Sequence, residues 1–126
     1  MNQPLPKRVV AEAVGTAMLL AAIVGSGIMG ERLAAGNTAI ALLANTIATG
    51  AALMALILTF GLISGAHFNP AVTLADAWQH GRAWRDVPAY IVAQVVGAFA
   101  GVTVAPSERR RCLPGSCHQY ARRPTP

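Results

Sequence analysis

Three long apolar runs, residues 9–29, 38–62 and 87–105, carry most of this chain, and short polar breaks separate them. A hydrocarbon core about 30 Å thick is crossed by roughly 20 helical residues, and each run is of that order. The pattern therefore predicts three membrane-spanning helices. A cleaved signal peptide is the alternative for the first run. The run's length and the carboxylate of Glu12 inside it count against that reading.

Residues 64–80 break the pattern in another way. Asn69 suits the N-cap of a helix, and Pro70 suits its first turn, where the missing N–H would have lacked a partner anyway. The spacing predicts a helix from Pro70 to about His80, with Gly81 at C′ and Arg82 beside the negative end of the dipole. Such a helix is roughly 15 Å long, half of what a crossing needs. The stretch Ser64 to Phe68 ahead of it must then enter the membrane as irregular backbone, which is tolerated only inside protein or along a wet cavity. This describes a re-entrant loop whose helix N-terminus, with the Asn69 carboxamide, faces a passage. A positive dipole end there repels cations and favours neutral hydrogen-bonding solutes.

The string Ser64-Gly65-Ala66-His67-Phe68-Asn69-Pro70-Ala71-Val72-Thr73 resembles the first signature loop of the aquaporin and aquaglyceroporin family of major intrinsic proteins. An Asn-Pro pair alone is an ordinary turn signal, whereas ten residues in this setting are far more specific. The resemblance implies an all-α membrane channel for water or small neutral solutes such as glycerol or a metalloid hydroxide. Asn69, Pro70 and Ala71 would form its tip, with Gly65, Ala66 and His67 offering backbone carbonyls to the solute. His67 is alternatively a gate or a structural donor. The family's spacing puts a constriction residue twenty positions before the loop asparagine, which here is Thr49. Water-selective members carry a bulky aromatic there, so a small polar residue leans toward larger solutes. The alternative is that Thr49 bonds its own helix backbone.

Other polar residues in the apolar runs need partners. The sequence Glu12-Ala13-Val14-Gly15-Thr16 resembles the family's Glu-x-x-Gly-Thr pattern, in which the glutamate bonds the backbone of the pore loops. Snorkelling to the interface is the other reading of Glu12. Gln94 is expected to bond across helices, and Ala93, Gly97 and Gly101 form a small-xxx-small stripe for close packing. Trp78 and Trp84 fit an interfacial belt.

Composition agrees with a membrane protein, since 54% of residues are hydrophobic and only 12% charged. The net charge of +5 is uneven. Residues 1–105 balance to +1, while residues 106–126 hold Arg109, Arg110, Arg111, Arg122 and Arg123 against Glu108, a balance of +4. Lys7, Arg8, Arg82 and Arg85 fall on one side of the predicted topology and Arg32 on the other, which puts the N-terminus in the cytoplasm of a plasma or inner membrane. A basic tail could touch anionic lipid or nucleic acid, but three crossings from a cytoplasmic N-terminus place it outside the cytoplasm, which argues against both, and no nucleic-acid partner is expected. The tail, with four prolines and no apolar periodicity, reads as disordered. Its Cys112, Cys117 and His118 make an incomplete metal set, so no metal or cofactor is expected. No nucleophile and base pairing, phosphate loop or paired carboxylates suggest an enzyme.

The resemblance covers residues 7–105, the first of two inverted halves in the family. The second signature loop is not in this sequence. The abrupt change of composition after Ala105 suggests a gene shortened or read out of frame there. The expected function is an aquaporin-like channel reduced to one half, with membrane lipid, small neutral solute and, by resemblance, a tetrameric assembly as partners. The alternative is a non-conducting fragment that binds full-length subunits. An antiparallel pair of copies would rebuild two halves.

Overall fold

The computed structural model describes residues 3–105, and the tail with Cys112 and Cys117 lies outside them. The described residues form four α-helices: α1 (Leu5–Leu33), α2 (Thr38–Ser64), α3 (Pro70–Trp78) and α4 (Val87–Val104). A single 3-10 turn, Trp84–Asp86, leads into α4. Among the described residues, α1, α2 and the segment Trp84–Val104 are long and apolar enough to cross a membrane. The chain is an all-α membrane protein.

Helix α1 begins four residues before the apolar run and ends four after it, so Lys7, Arg8, Glu31 and Arg32 all lie in the helix. Hydrophobicity reports bilayer thickness, whereas backbone hydrogen bonding sets helix ends, and the two need not coincide. At about 1.5 Å per residue the helix is roughly 43 Å long, enough to carry its charged ends beyond the hydrocarbon. The connection predicted over 30–37 contracts accordingly. Ala35 and Gly36 turn the chain at positive φ, 50° and 90°, and Asn37 caps α2 by accepting from Ala39 N and Ile40 N.

Helix α1 packs between α2 and α4, and α3 lies against α4. The stripe on α4 makes the closest approach. A Cβ on Gly97 would strike the carbonyl of Ala13, and one on Gly101 that of Ala17. Gly30 meets the backbone of Ala41 in the same manner on the α2 side. Large apolar side chains such as Leu42, Ile47, Met54 and Leu58 are exposed along α2, a surface that lipid or protein can cover and water covers poorly.

Helix α3 ends two residues earlier than predicted, for a reason visible at its C-terminus. His80, not Gly81, takes the left-handed conformation, at φ 64°. Gly81 N then bonds Asp76 O at 2.9 Å and His80 N bonds Ala77 O at 3.3 Å, the paired bonds of a Schellman ending. Gly81 takes C″ instead, where a Cβ would press on the movable end of the Asp76 carboxylate.

Candidate functional site

The site is built around one buried carboxylate. Glu12 has no exposed surface and accepts four hydrogen bonds. Oε1 takes Ser64 Oγ at 2.7 Å and His67 N at 3.0 Å, and Oε2 takes Phe68 N and Gln94 Nε2, both at 2.8 Å. Four bonds fill the lone-pair capacity of a carboxylate, which is how an ion is held in a low-dielectric interior without a cation beside it. Snorkelling is thereby replaced by burial against the loop.

Those bonds orient the loop. Ala66 N donates to Ser64 Oγ at 3.1 Å, so three successive amides, of Ala66, His67 and Phe68, are drawn to one side. None of the described peptide bonds is cis. In a trans peptide the C=O points opposite to the N–H that follows it. The carbonyls of Gly65, Ala66 and His67 are therefore turned away from Glu12, and no hydrogen bond among the described residues reaches them.

The turn is forced, because Gly65, Ala66 and Phe68 sit at φ 95°, 51° and 48°. For the two non-glycine residues the left-handed conformation costs roughly 1–2 kcal/mol each, which the amide bonds to Ser64 and Glu12 offset. Phe68 is also anchored by packing. Its buried ring meets Phe60 edge-on at 6.2 Å and fills the space over Gly15.

At the head of α3, Asn69 Oδ1 accepts from Ala71 N at 2.9 Å. The cap fixes the carboxamide plane and leaves Nδ2, on an exposed residue, with no partner among the described residues. Thr73 continues the network inward. Its hydroxyl accepts from Gln94 Nε2 at 2.9 Å and lies 3.2 Å from both the Asn69 carbonyl and His67 Nδ1. Gln94 thus spends both amide hydrogens, one on α1 and one on α3, while its buried Oε1 has no partner among the described residues.

Asp76, on α3, is paired. His67 Nε2 stands 3.4 Å and Arg82 Nε 3.5 Å from its Oδ2. Arg82 does not extend toward solvent beyond α3. It folds back over the Tyr90 ring at 4.0 Å and donates from Nη2 to Ser64 O at 2.8 Å. Tyr90 Oη donates to the same carbonyl at 3.0 Å and accepts from Arg8 Nε at 2.9 Å.

The structure therefore brings together Glu12, Gln94, Gly65, Ala66, His67, Asn69, Pro70 and Ala71. It keeps Thr49 apart, roughly 22 Å along α2 from Ser64 at about 1.5 Å per residue. Thr49 is partly exposed and its hydroxyl makes no hydrogen bond among the described residues, unlike those of Thr46 and Thr59, which bond their own helix. Sequence reasoning missed Ser64, Thr73, Tyr90 and Arg82 as members of the network. Tyr90 stands one helical turn from Gln94, a shared face that could have suggested it.

Comparison with known proteins bears on the family. A model of the family described as Major intrinsic protein matches residues 2–112. Aquaglyceroporin AqpS of Rhizobium meliloti (strain 1021) is 55% identical over 101 residues, covering 80% of this chain and 43% of the relative. Aquaporin NIP1-1 of Zea mays is 41% identical over 98 residues, covering 78% and 34%. Nodulin-26 of Glycine max is 41% identical over 99 residues, covering 79% and 35%. The chain spans less than half the length of these relatives. By the extent of the family match and the level of these identities, it belongs to the major intrinsic protein family.

Proposed function

We propose that residues 7–105 form one wall of a channel for passive movement of water or small neutral solutes, with residues 64–80 as its re-entrant segment. The observation that carries this reading is the pairing of a capped Asn69, whose Nδ2 is free to donate, with three outward carbonyls at Gly65, Ala66 and His67 free to accept. A passing hydroxyl meets acceptors in sequence and then a fixed donor at the positive end of α3. A water molecule there accepts from Asn69 and so points its hydrogens away, which breaks a proton wire. Pro70 and Ala71 keep the tip narrow, and Glu12 and Gln94 hold the loop in place.

Thr49 shapes a wider, more polar constriction further along α2. Its small side chain and the name of the Rhizobium relative, an aquaglyceroporin, favour a solute of glycerol size over water alone. Arg8, Arg82 and Arg85 gather at one end of the bundle, which supports a cytoplasmic N-terminus in a plasma or inner membrane.

A second reading rests on the exposure of Asn69 and Ala71. A pore needs another wall facing them, which residues 3–105 do not supply. In this reading the chain is a non-conducting partner of other channel subunits, or completes a pore only within an assembly. Stopped-flow swelling of proteoliposomes containing the full chain separates the two. Glycerol or water flux above empty vesicles, lost in Asn69→Asp, supports the channel, and flux equal to empty vesicles supports the partner.

A further inference from the structure

Two hollows adjoin at the end of the bundle that holds the α1 N-terminus and the α2 C-terminus. One is an apolar groove of about 430 Å³ between α1 and α2, lined by Pro6, Val10, Val14, Phe60 and Ile63 with Lys7 at its end. The other, of about 350 Å³, is polar and lined by Arg8, Ser64, Gly81, Arg82 and Asp86, with Ile63 again in its wall. Ile63 lines both, so an apolar trough and a cationic hollow meet at one side chain.

The charge of that hollow is unbalanced. Arg8 and Arg82 are drawn to the same Tyr90 ring, at 5.5 Å and 4.0 Å. Asp86 serves both Arg8, at 3.4 Å, and Arg85, at 3.7 Å, while Asp76 serves Arg82. Of the side chains lining the hollow, two guanidinium groups, those of Arg8 and Arg82, face one carboxylate, that of Asp86. The Arg82 side chain is only 9% exposed, yet its Nη1 has no hydrogen-bond partner among the described residues. Trp84 and Arg85, both exposed at this end, mark the level of the membrane interface.

We propose that the joined hollows bind one anionic phospholipid, its phosphate against Arg8 and Arg82 and one acyl chain along Val10 and Val14. Guanidinium forks match phosphate oxygens, and the groove offers the chain an apolar bed beginning at headgroup depth. A free phosphate would fill the polar hollow and leave the groove empty. A zwitterionic headgroup would bring its own cation beside Lys7 and Arg85.

Native mass spectrometry of the full chain in a neutral detergent tests this, titrating phosphatidylglycerol and phosphatidylcholine with identical acyl chains. The expected result is tighter binding of phosphatidylglycerol by about tenfold, the scale of one charge-assisted hydrogen bond. Arg8→Gln abolishes the preference, whereas Arg85→Gln, an equal loss of charge outside the hollow, changes it by less than about twofold. Val10→Trp, at an exposed position in the groove, weakens both lipids by about tenfold. Equal binding of the two lipids overturns the proposal, as does a preference that survives Arg8→Gln. Displacement of phosphatidylglycerol by millimolar inorganic phosphate together with indifference to Val10→Trp overturns it in favour of an ion site. A lipid-free dimer lost in Val10→Trp overturns it in favour of a second copy. Circular dichroism checks the fold of Arg8→Gln, and if that variant does not fold, Val10→Trp decides alone: weakened phosphatidylglycerol binding supports the site and unchanged binding overturns it.

Discussion

Phe68 occupies the volume that a side chain at position 15 would need, since a Cβ on Gly15 would overlap the edge of its ring. The contact ties α1 to the loop at a residue held at φ 48°, three positions along the helix from the carboxylate that binds the Phe68 amide. Glycine at 15 and glutamate at 12 thus act on the same loop residue, one by leaving room for its ring and the other by holding its N–H. Gly15→Ala should displace the ring and destabilise the protein by about 1–3 kcal/mol. Thermal unfolding in detergent, followed by circular dichroism, checks this against Gly25→Ala. No side chain lies within 4 Å of a Cβ at 25, so that change should be neutral or stabilising by up to about 1 kcal/mol.

Replacing Glu12 by Gln keeps the shape but turns one acceptor oxygen into a donor. Two of the four groups that point at the carboxylate would then face N–H₂. Gln94 can absorb part of the conflict by turning over, because its Oε1 is otherwise unpartnered and would accept from the new amide. The Phe68 N–H then remains unmet, and the turned Nε2 of Gln94 lies where Oε1 had no partner among the described residues, so at least one buried donor is left over at a cost of about 1–3 kcal/mol. Glu12→Ala removes every acceptor and leaves Ser64, His67, Phe68 and Gln94 facing a cavity, a loss of about 3 kcal/mol or more. The order wild type, Glu12→Gln, Glu12→Ala in denaturation midpoint is the expected outcome, and a Glu12→Ala variant as stable as wild type would remove the carboxylate from the centre of this scheme.

The network was partly legible before the structure. A carboxylate and a carboxamide in apolar runs cannot comfortably face lipid, so Gln94 was expected to point at protein and Glu12 either at protein or, by snorkelling, at the interface. Hydroxyls carry no such signal, since Ser and Thr can bond their own helix, as Thr46 and Thr59 do. Ser64 and Thr73 were therefore invisible as loop anchors. The Arg82 position suggested a partner for the α3 dipole, but its side chain is long enough to reach the last carbonyl of α2 instead. Helix ends were read from hydrophobicity and shifted wherever charged residues continued the helix into the interface, as Lys7, Arg8, Glu31 and Arg32 do.

Arg82→Lys tests the strap between α3 and α2. A lysine ammonium keeps the charge but cannot hold Ser64 O and Asp76 together in one planar fork, nor stack as well on Tyr90. Stability should fall by about 1–2 kcal/mol. Asp76→Asn should cost less, about 1 kcal/mol or under, because the carboxylate is 34% exposed and its two ion pairs are long. Urea or thermal titration of both variants gives the comparison, and an Asp76→Asn loss larger than that of Arg82→Lys would place the weight of the strap on the ion pair.

Asn69 has two separable duties, and two substitutions divide them. Its Oδ1 caps α3 through Ala71 N at 2.9 Å, while its Nδ2 has no partner among the described residues. Asn69→Asp retains an oxygen acceptor for the cap and adds a negative charge at a positive dipole end, so the fold should keep its stability or gain slightly. The donor is lost, and solute flux through any pore this loop lines should fall roughly tenfold, the upper range for one neutral hydrogen bond. Asn69→Ala loses both groups, and its cap alone is worth about 0.5–2 kcal/mol. Swelling rates and melting temperatures measured on the same preparations therefore have a defined pattern: flux reduced in both variants, stability reduced only in Asn69→Ala. Equal stability losses in the two would mean that Nδ2 holds the fold together, which would leave the loop without a free donor.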